Sequence, residues 1–285
     1  MKIIDFHTHL GKLIVNTTGN TPEMLIEQMD KNGIEQSVVM AVENPEEVDY
    51  YFTSYQVLEA CQKYPDRLIP FCSIDPRRRY PGKFECKDIL MEYVKLGFKG
   101  FGEILAGVPF DYPDLQKIYA ACGELGLPIV FHTDYHILFD EPGQPRLEKM
   151  LQEYPDTIFV GHSIHFWAEI SADCQPEDYA YTVYAKGPVI PGGATDRLLS
   201  QYPNLYGDLS ANSGYNALTR DPEFGIDFLI RQQDKLVFGT DILKPGQSIP
   251  ILELLLNAPI TDEVRAKIMY KNAEKLLKMD GAYVR

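Results

Sequence analysis

The chain has 285 residues, of which 45% are apolar and 24% are charged, a composition typical of a globular protein. Its net charge of −14 disfavours nonspecific binding to nucleic acid or to an anionic membrane surface. No apolar run reaches the ~18 residues that a membrane helix needs, and the first residues, MKIIDFHTH, turn polar too early for a signal peptide. We therefore expect a cytoplasmic protein whose partner is a small-molecule substrate, not nucleic acid or a membrane.

Short apolar runs alternate with amphipathic stretches along the whole chain. The predicted strands are 2–6, 37–42, 68–73, 98–101, 128–131, 158–161, 205–208 and 236–239. The first predicted helix begins at Thr21 and Pro22, an N-cap followed by proline at the first helical position. Further helices are predicted near 53–63, 83–95, 113–125, 145–153, 195–201, 224–232, 248–257 and 261–278.

The alternation predicts an α/β protein with a parallel sheet, because parallel strands need helical crossovers between them. The strands are almost continuously apolar, as expected when both faces are buried. A count of eight favours a closed (β/α)₈ barrel of the TIM type over an open sheet, and we find no linker that divides residues 1–285 into two domains.

Residues 163–194 form an unusually long connection after predicted strand six. The segment holds Trp167, Tyr179, Tyr181, Tyr184 and Lys186. At the end of a barrel strand, a long aromatic segment is typical of a lid or a substrate wall. The alternatives are an ordered structural insertion and a dimer contact.

Residues able to bind a metal lie where the predicted strands end. They are His7 and His9 on strand one, Glu103 on strand four, His132 on strand five, His162 on strand six and Asp241 on strand eight. Because the carboxyl ends of all barrel strands meet on one face, we expect these six side chains to converge there. Imidazole and carboxylate are ligands of zinc and related transition metals rather than of calcium. The set therefore predicts a divalent metal site.

Each of these residues alone has an ordinary explanation, such as a hydrogen-bonded core histidine, a helix cap or an ion pair. Strand alternation, however, places His7 and His9 on one side of strand one, where both reach the same ion. Several carboxylates together in a barrel mouth are also costly to desolvate unless they are paired or bind metal. The six residues together are therefore a more specific sign of a metal site than any one of them alone.

Six short segments, in this order, resemble the amidohydrolase superfamily. They are DFHTH (5–9), FHT (131–133), GHS (161–163), GDLSA (207–211), FGTD (238–241) and KNAEKLL (271–277). The resemblance covers essentially the whole chain and is strongest to the branch related to aminocarboxymuconate semialdehyde decarboxylase. The motif set is specific to the superfamily but not to one reaction or substrate.

The resemblance implies a role for most of the predicted site residues. His7, His9 and His132 resemble metal ligands, and Asp241 resembles the aspartate that binds metal and shuttles a proton. His162 resembles a histidine that binds a second metal in some members and contacts substrate in others. Asp241 and His162 are therefore the predicted catalytic residues, and no substrate-binding residue is assigned.

Glu103 departs from the decarboxylase-like pattern, which usually lacks a carboxylate at the end of strand four. It resembles the bridging glutamate of two-metal members such as the metal-dependent deoxyribonucleases, and Lys99 is the less favoured bridge. Two divalent ions would balance Glu103, Asp241 and one hydroxide, and would leave one positive charge for a developing oxyanion. We therefore expect two ions per chain rather than one, with zinc as the expected metal.

These features predict a metal-dependent hydrolase that uses a metal-activated hydroxide to cleave an amide, lactone or ester bond of a small molecule. The alternatives are a one-metal non-oxidative decarboxylase, a phosphoesterase on the same barrel, and a metal-binding barrel without catalysis. Lys244, just after Asp241, and Asn212, after strand seven, are further candidates for shaping the pocket. The resemblance also allows a homodimer.

Overall fold

The strands of the computed structural model form a barrel, as the sequence predicts. The model describes residues 1–13, 18–46, 51–79, 85–180 and 184–279. The strands are β1 Ile4–Thr8, β2 Gln36–Met40, β3 Leu68–Cys72, β4 Gly100–Ile104, β5 Ile129–His132, β6 Phe159–His162, β7 Leu205–Asp208 and β8 Leu236–Val237. They pair in parallel in sequence order. The chain after β8 returns to β1, where Phe6 N donates to Phe238 O at 2.9 Å and closes the barrel.

Helices follow the strands and surround the barrel. They are α1 Pro22–Asn32, α2 Ser54–Lys63, α3 Cys86–Leu96, α4 Pro113–Leu125, α5 Pro145–Glu153, α6 Ser163–Ala168, α7 Ala194–Gln201, α8 Ala211–Thr219, α9 Pro222–Arg231, α10 Pro250–Asn257, α11 Asp262–Ala266 and α12 Asn272–Leu277. None of these helices is long and apolar enough to span a bilayer.

The ends of α1 show how local sequence sets the element boundaries. Thr21 has extended backbone angles, and its side chain accepts a hydrogen bond from Met24 N. Pro22 occupies the first helical position, where its missing N–H costs nothing. Gly33 ends the helix with φ 68°, a left-handed conformation that glycine adopts without strain.

Apolar side chains pack on both sides of the barrel wall, in the interior and between the strands and the helices. One buried cluster draws on seven of the strands and on α12, and is therefore the barrel interior; it includes Phe6, Met40, Phe71, Val130, Val160, Tyr206 and Val237. Leu276 and Leu277 of α12 belong to the same cluster and close the N-terminal end of the barrel. A larger cluster packs the strands against the surrounding helices. The predicted site residues lie at the opposite, C-terminal end of the barrel.

The segment 163–194 is not a plain loop. It begins directly with α6, and a 3₁₀ turn follows at Pro176–Asp178. Tyr181, which the sequence places in this segment, lies outside the described residues. That the segment acts as a lid stays a prediction. A second helix that the sequence did not predict, α8, follows β7. The predicted helix 261–278 is helical throughout, but a π-helical stretch at Lys267–Lys271 joins α11 to α12.

Candidate metal centre

The six predicted site residues meet at the mouth of the barrel. His7, Glu103, His132 and His162 lie on β1, β4, β5 and β6. His9 follows β1 directly, and Asp241 lies four residues after the end of β8. Four of the side chains are buried, those of His7, His9, Glu103 and His162. The side chains of His132 and Asp241 are 19% and 17% exposed. The mouth therefore holds a buried polar cluster with two members open to solvent.

Four side-chain atoms in this cluster point at one common space. His7 Nε2 and His9 Nε2 lie 3.0 Å apart. Glu103 Oε2 is 3.5 Å from the first nitrogen and 3.3 Å from the second. Asp241 Oδ1 is 3.6 Å from each. Ligands bound at about 2.0–2.1 Å to a tetrahedral zinc ion are separated by about 3.4 Å, so these spacings fit one divalent ion.

The other oxygen of Glu103 faces a second pair of histidines. Glu103 Oε1 lies 3.0 Å from His132 Nδ1 and 3.8 Å from His162 Nε2. Each oxygen of this buried carboxylate thus faces two histidines, and the rings of His7 and His162 also lie close together, with centroids 4.4 Å apart. Both oxygens of Glu103 are therefore placed as possible ligand atoms.

The charges of the cluster also favour a bound cation. Burial alone lowers the pKa of His7, but the carboxylates of Glu103 and Asp208 outweigh burial and hold this pKa well above its usual value. Burial raises the pKa of Glu103, but the charge of His7 and a hydrogen bond from His132 hold it well below its usual range. The negative charge of the buried carboxylates is therefore stabilised by positive charge at the centre of the mouth. A divalent ion would provide that charge in place of the histidine protons.

The sequence of the whole barrel matches one protein family. The sequence model described as "Amidohydrolase" matches residues 4–279. The chain belongs to the amidohydrolase family. No curated protein matches the chain.

Solved structures share the fold of this amidohydrolase at low sequence identity. An uncharacterised TIM-barrel protein from Bordetella bronchiseptica is 21% identical with a TM-score of 0.67, over 99% of this chain and 100% of that one. A putative 2-pyrone-4,6-dicarboxylic acid hydrolase from Pseudomonas putida is 15% identical with a TM-score of 0.67, over 98% of both chains. A 2,6-dihydroxybenzoate decarboxylase from Rhizobium is 17% identical with a TM-score of 0.62, over 99% of this chain and 100% of that one. Hydrolases and decarboxylases thus share this barrel.

Asp208, the last residue of β7, lies in the GDLSA motif and contacts two of the site histidines, a role that was not predicted from the sequence. Its Oδ2 accepts a hydrogen bond of 2.6 Å from His7 Nδ1 and lies 3.4 Å from His162 Nδ1. Ser210 Oγ donates to the same oxygen at 2.8 Å. A proton held on His7 Nδ1 leaves Nε2 free as a ligand. The strand-end rule that found the other six residues also applies to Asp208.

We expect Asp208→Asn to weaken metal binding by about 10–100-fold, the usual effect of losing a carboxylate that orients a ligating histidine. The amide keeps the shape of the carboxylate but no longer fixes the tautomer of His7. Titration of the metal-free protein with zinc measures the change. Unchanged zinc affinity would show that Asp208 has only a structural role.

The second ring nitrogen of His132, Nε2, also has polar neighbours. Ser163 Oγ lies 2.7 Å and Asp134 Oδ2 lies 3.3 Å from His132 Nε2. With Glu103 on Nδ1, the serine and histidine have the spacing of a serine–histidine–acid triad. Ser163, however, is only 2% exposed, so its hydroxyl is not open to a substrate carbonyl. The contacts of Ser163 and Asp134 therefore orient His132.

Asp5 ties the first strand to the segment that carries Asp241. Its carboxylate accepts hydrogen bonds from His7 N at 3.1 Å, Thr240 N at 2.9 Å and Thr240 Oγ1 at 2.7 Å. Burial raises the pKa of Asp5 to about 7 in spite of these bonds. Asp241 follows with φ 54°, a left-handed backbone that costs free energy in residues with a side chain. The surrounding contacts thus hold Asp241 in a strained position at the mouth.

Proposed function

We propose that this amidohydrolase is a metal-dependent hydrolase that cleaves an amide, lactone or ester bond of a small molecule. We further propose that it holds two divalent ions per chain, with zinc as the expected metal. The proposal rests on one observation, that one oxygen of the buried Glu103 carboxylate faces His7 and His9 and the other faces His132 and His162. A single ion beside His7 and His9 would use only one of these oxygens.

The donor atoms divide into two sets. His7, His9, Asp241 and Oε2 of Glu103 would hold one ion, and His132, His162 and Oε1 of Glu103 would hold the other. A bound divalent ion would lower the pKa of a coordinated water to roughly 7 and would polarise a substrate carbonyl oxygen.

Asp241 is suited to move the proton of the reaction. Its side chain is partly exposed whereas His7 and His9 are buried, so an oxygen of Asp241 is accessible from the cleft. We assign to Asp241 the proton transfer from the nucleophilic water to the leaving group, a step that general acid–base catalysis accelerates by ~10²–10⁴-fold.

His162 is suited to contact the substrate oxygen or to complete the second set of ligands. Its Nδ1 lies 2.9 Å from Ser210 Oγ, which fixes the ring. Its Nε2 points to the space between Glu103 Oε1 at 3.8 Å and Asp241 Oδ2 at 4.0 Å. The ring is therefore held with one nitrogen directed into the centre of the mouth.

Non-oxidative decarboxylation on one ion is the second candidate, because the decarboxylase from Rhizobium has the same fold. With one ion beside His7 and His9, Glu103 would use Oε2 alone, and Oε1 would face His132 and His162 without a second cation. Hydrolysis therefore ranks first.

Product analysis separates the two reactions. Zinc-loaded protein is incubated with a panel of lactones, esters and amides, and separately with 2,6-dihydroxybenzoate, and both acid release and CO₂ are measured. We expect acid release from at least one member of the panel and no CO₂. The release of CO₂ from the benzoate without hydrolysis of any panel member would replace the hydrolase by the decarboxylase.

A further inference from the structure

A cleft of about 570 Å³ opens beside Asp241. Its walls are the segment 243–248 after β8, the first residues of α8 and α10, and Tyr184 from the long segment 163–194. Because Asp241 lines this cleft, the group that receives the proton from Asp241 must lie at or near it. The cleft is thus placed to hold the leaving-group half of a substrate.

Lys244 gives this cleft its positive charge. It is exposed and lines the cleft, and within the described residues it forms no ion pair. Among the described lining residues it is the one cationic side chain, in a chain whose net charge is −14. An anion entering the cleft therefore meets an ammonium group that no carboxylate of the described residues neutralises.

The segment that carries Lys244 is anchored to Asp241. Gln247 Nε2 donates to Asp241 O at 2.6 Å, and Gln247 Oε1 accepts from Leu243 N at 3.0 Å. Gln28 of α1 accepts from Gly246 N at 3.0 Å. The backbone of Lys244 is consequently held at a fixed position relative to Asp241. The length of the lysine side chain then limits how far its ammonium group extends into the cleft.

Neutral donors across the cleft complete the surroundings expected of a carboxylate site. Tyr184 lies within hydrogen-bonding reach of the Asn212 side chain, and both line the cleft. Pro250 and Ile251, the first residues of α10, line it as well, so the positive end of this helix faces the same space. A lysine, a tyrosine hydroxyl and an amide together suit an anionic oxygen-rich group.

We propose that Lys244 is a specificity-determining residue that binds a carboxylate on the leaving-group half of the substrate. The inference rests on the proposed hydrolase function, since the leaving group is defined by bond cleavage. Binding of the leaving group alone, however, tests Lys244 without any turnover.

The experiment uses two acetate esters that differ only in the leaving group, phenyl acetate and 4-acetoxybenzoate, and their products phenol and 4-hydroxybenzoate. The variants are Lys244→Met, Lys244→Arg as the conservative replacement, and Lys271→Met as a control with the same charge change at an exposed position outside the cleft. Dissociation constants of the two products are measured by calorimetry on zinc-loaded protein, and KM and kcat are measured for the two esters.

We expect Lys244→Met to weaken 4-hydroxybenzoate binding about tenfold or more, the value of one charge-assisted hydrogen bond, and to leave phenol binding unchanged. KM for 4-acetoxybenzoate should rise by the same factor at constant kcat, Lys244→Arg should restore part of the affinity, and Lys271→Met should match the wild type. The proposal is overturned if the wild type binds 4-hydroxybenzoate no better than phenol, or if Lys244→Met and Lys271→Met behave alike. Product binding that follows this pattern without ester cleavage would support Lys244 and count against the hydrolase.

Discussion

Asp241→Asn is expected to lower kcat by ~10²–10⁴-fold while at least one metal ion stays bound. Asparagine keeps an oxygen that can bind metal but cannot accept a proton and return it to a leaving group. The substitution is also structurally mild. Asp241 has φ 54°, a region that asparagine tolerates better than most residues, and its backbone N–H still donates to His7 O at 2.8 Å. A loss of activity therefore reports on chemistry rather than on folding.

The measurement pairs kcat with metal content and with a thermal unfolding curve of the same preparation. We expect an unchanged unfolding curve and retained metal with almost no turnover. Near-normal turnover in the variant would remove Asp241 from the proton transfer. Loss of all metal would show that Asp241 acts chiefly as a ligand.

Glu103→Gln is expected to reduce the metal content from two ions per chain to one and to lower kcat by at least about a hundredfold. The side chain is buried, and both of its oxygens face histidine nitrogens. Glutamine has the same shape, but its NH₂ group donates hydrogen bonds and cannot bind a cation. One of the two histidine pairs therefore loses its shared ligand, and the mouth loses one negative charge that balances the ions.

Glu169→Gln is the matched control for this prediction. Glu169 is also buried and also lies beside a histidine, with His165 Nε2 3.3 Å from its Oε1, but it belongs to neither set of donor atoms. We expect this variant to keep two ions and full activity. If Glu103→Gln keeps two ions as well, Glu103 does not bridge them.

The sequence was sufficient to predict the barrel and the six residues at its mouth, because both depend on local patterns. Buried parallel strands appear as apolar runs, and polar residues that follow such runs must emerge at the same face. The boundaries were less accurate. Strand one was predicted at 2–6 but spans Ile4–Thr8, since His7 and Thr8 continue the strand into the mouth in spite of their polarity.

Other features depend on contacts between distant parts of the chain. The six residues of α6 show no period of their own, and α8 contains Asn212, Ser213 and Gly214, which favour loops over helices. That the two oxygens of Glu103 face different histidine pairs follows from the side-chain orientation across the barrel. Spacing along the sequence carries no information about that orientation. The expectation of two ions rested on the resemblance of Glu103 to a bridging glutamate and on charge, and it stays a prediction.

Metal analysis of the purified wild-type protein tests the central claim most directly. The chain is loaded with zinc, freed of unbound metal by gel filtration, and its zinc content is determined by elemental mass spectrometry. We expect a ratio close to two ions per chain. A ratio of one would contradict the shared role of Glu103, and a ratio near zero would contradict the metal centre itself.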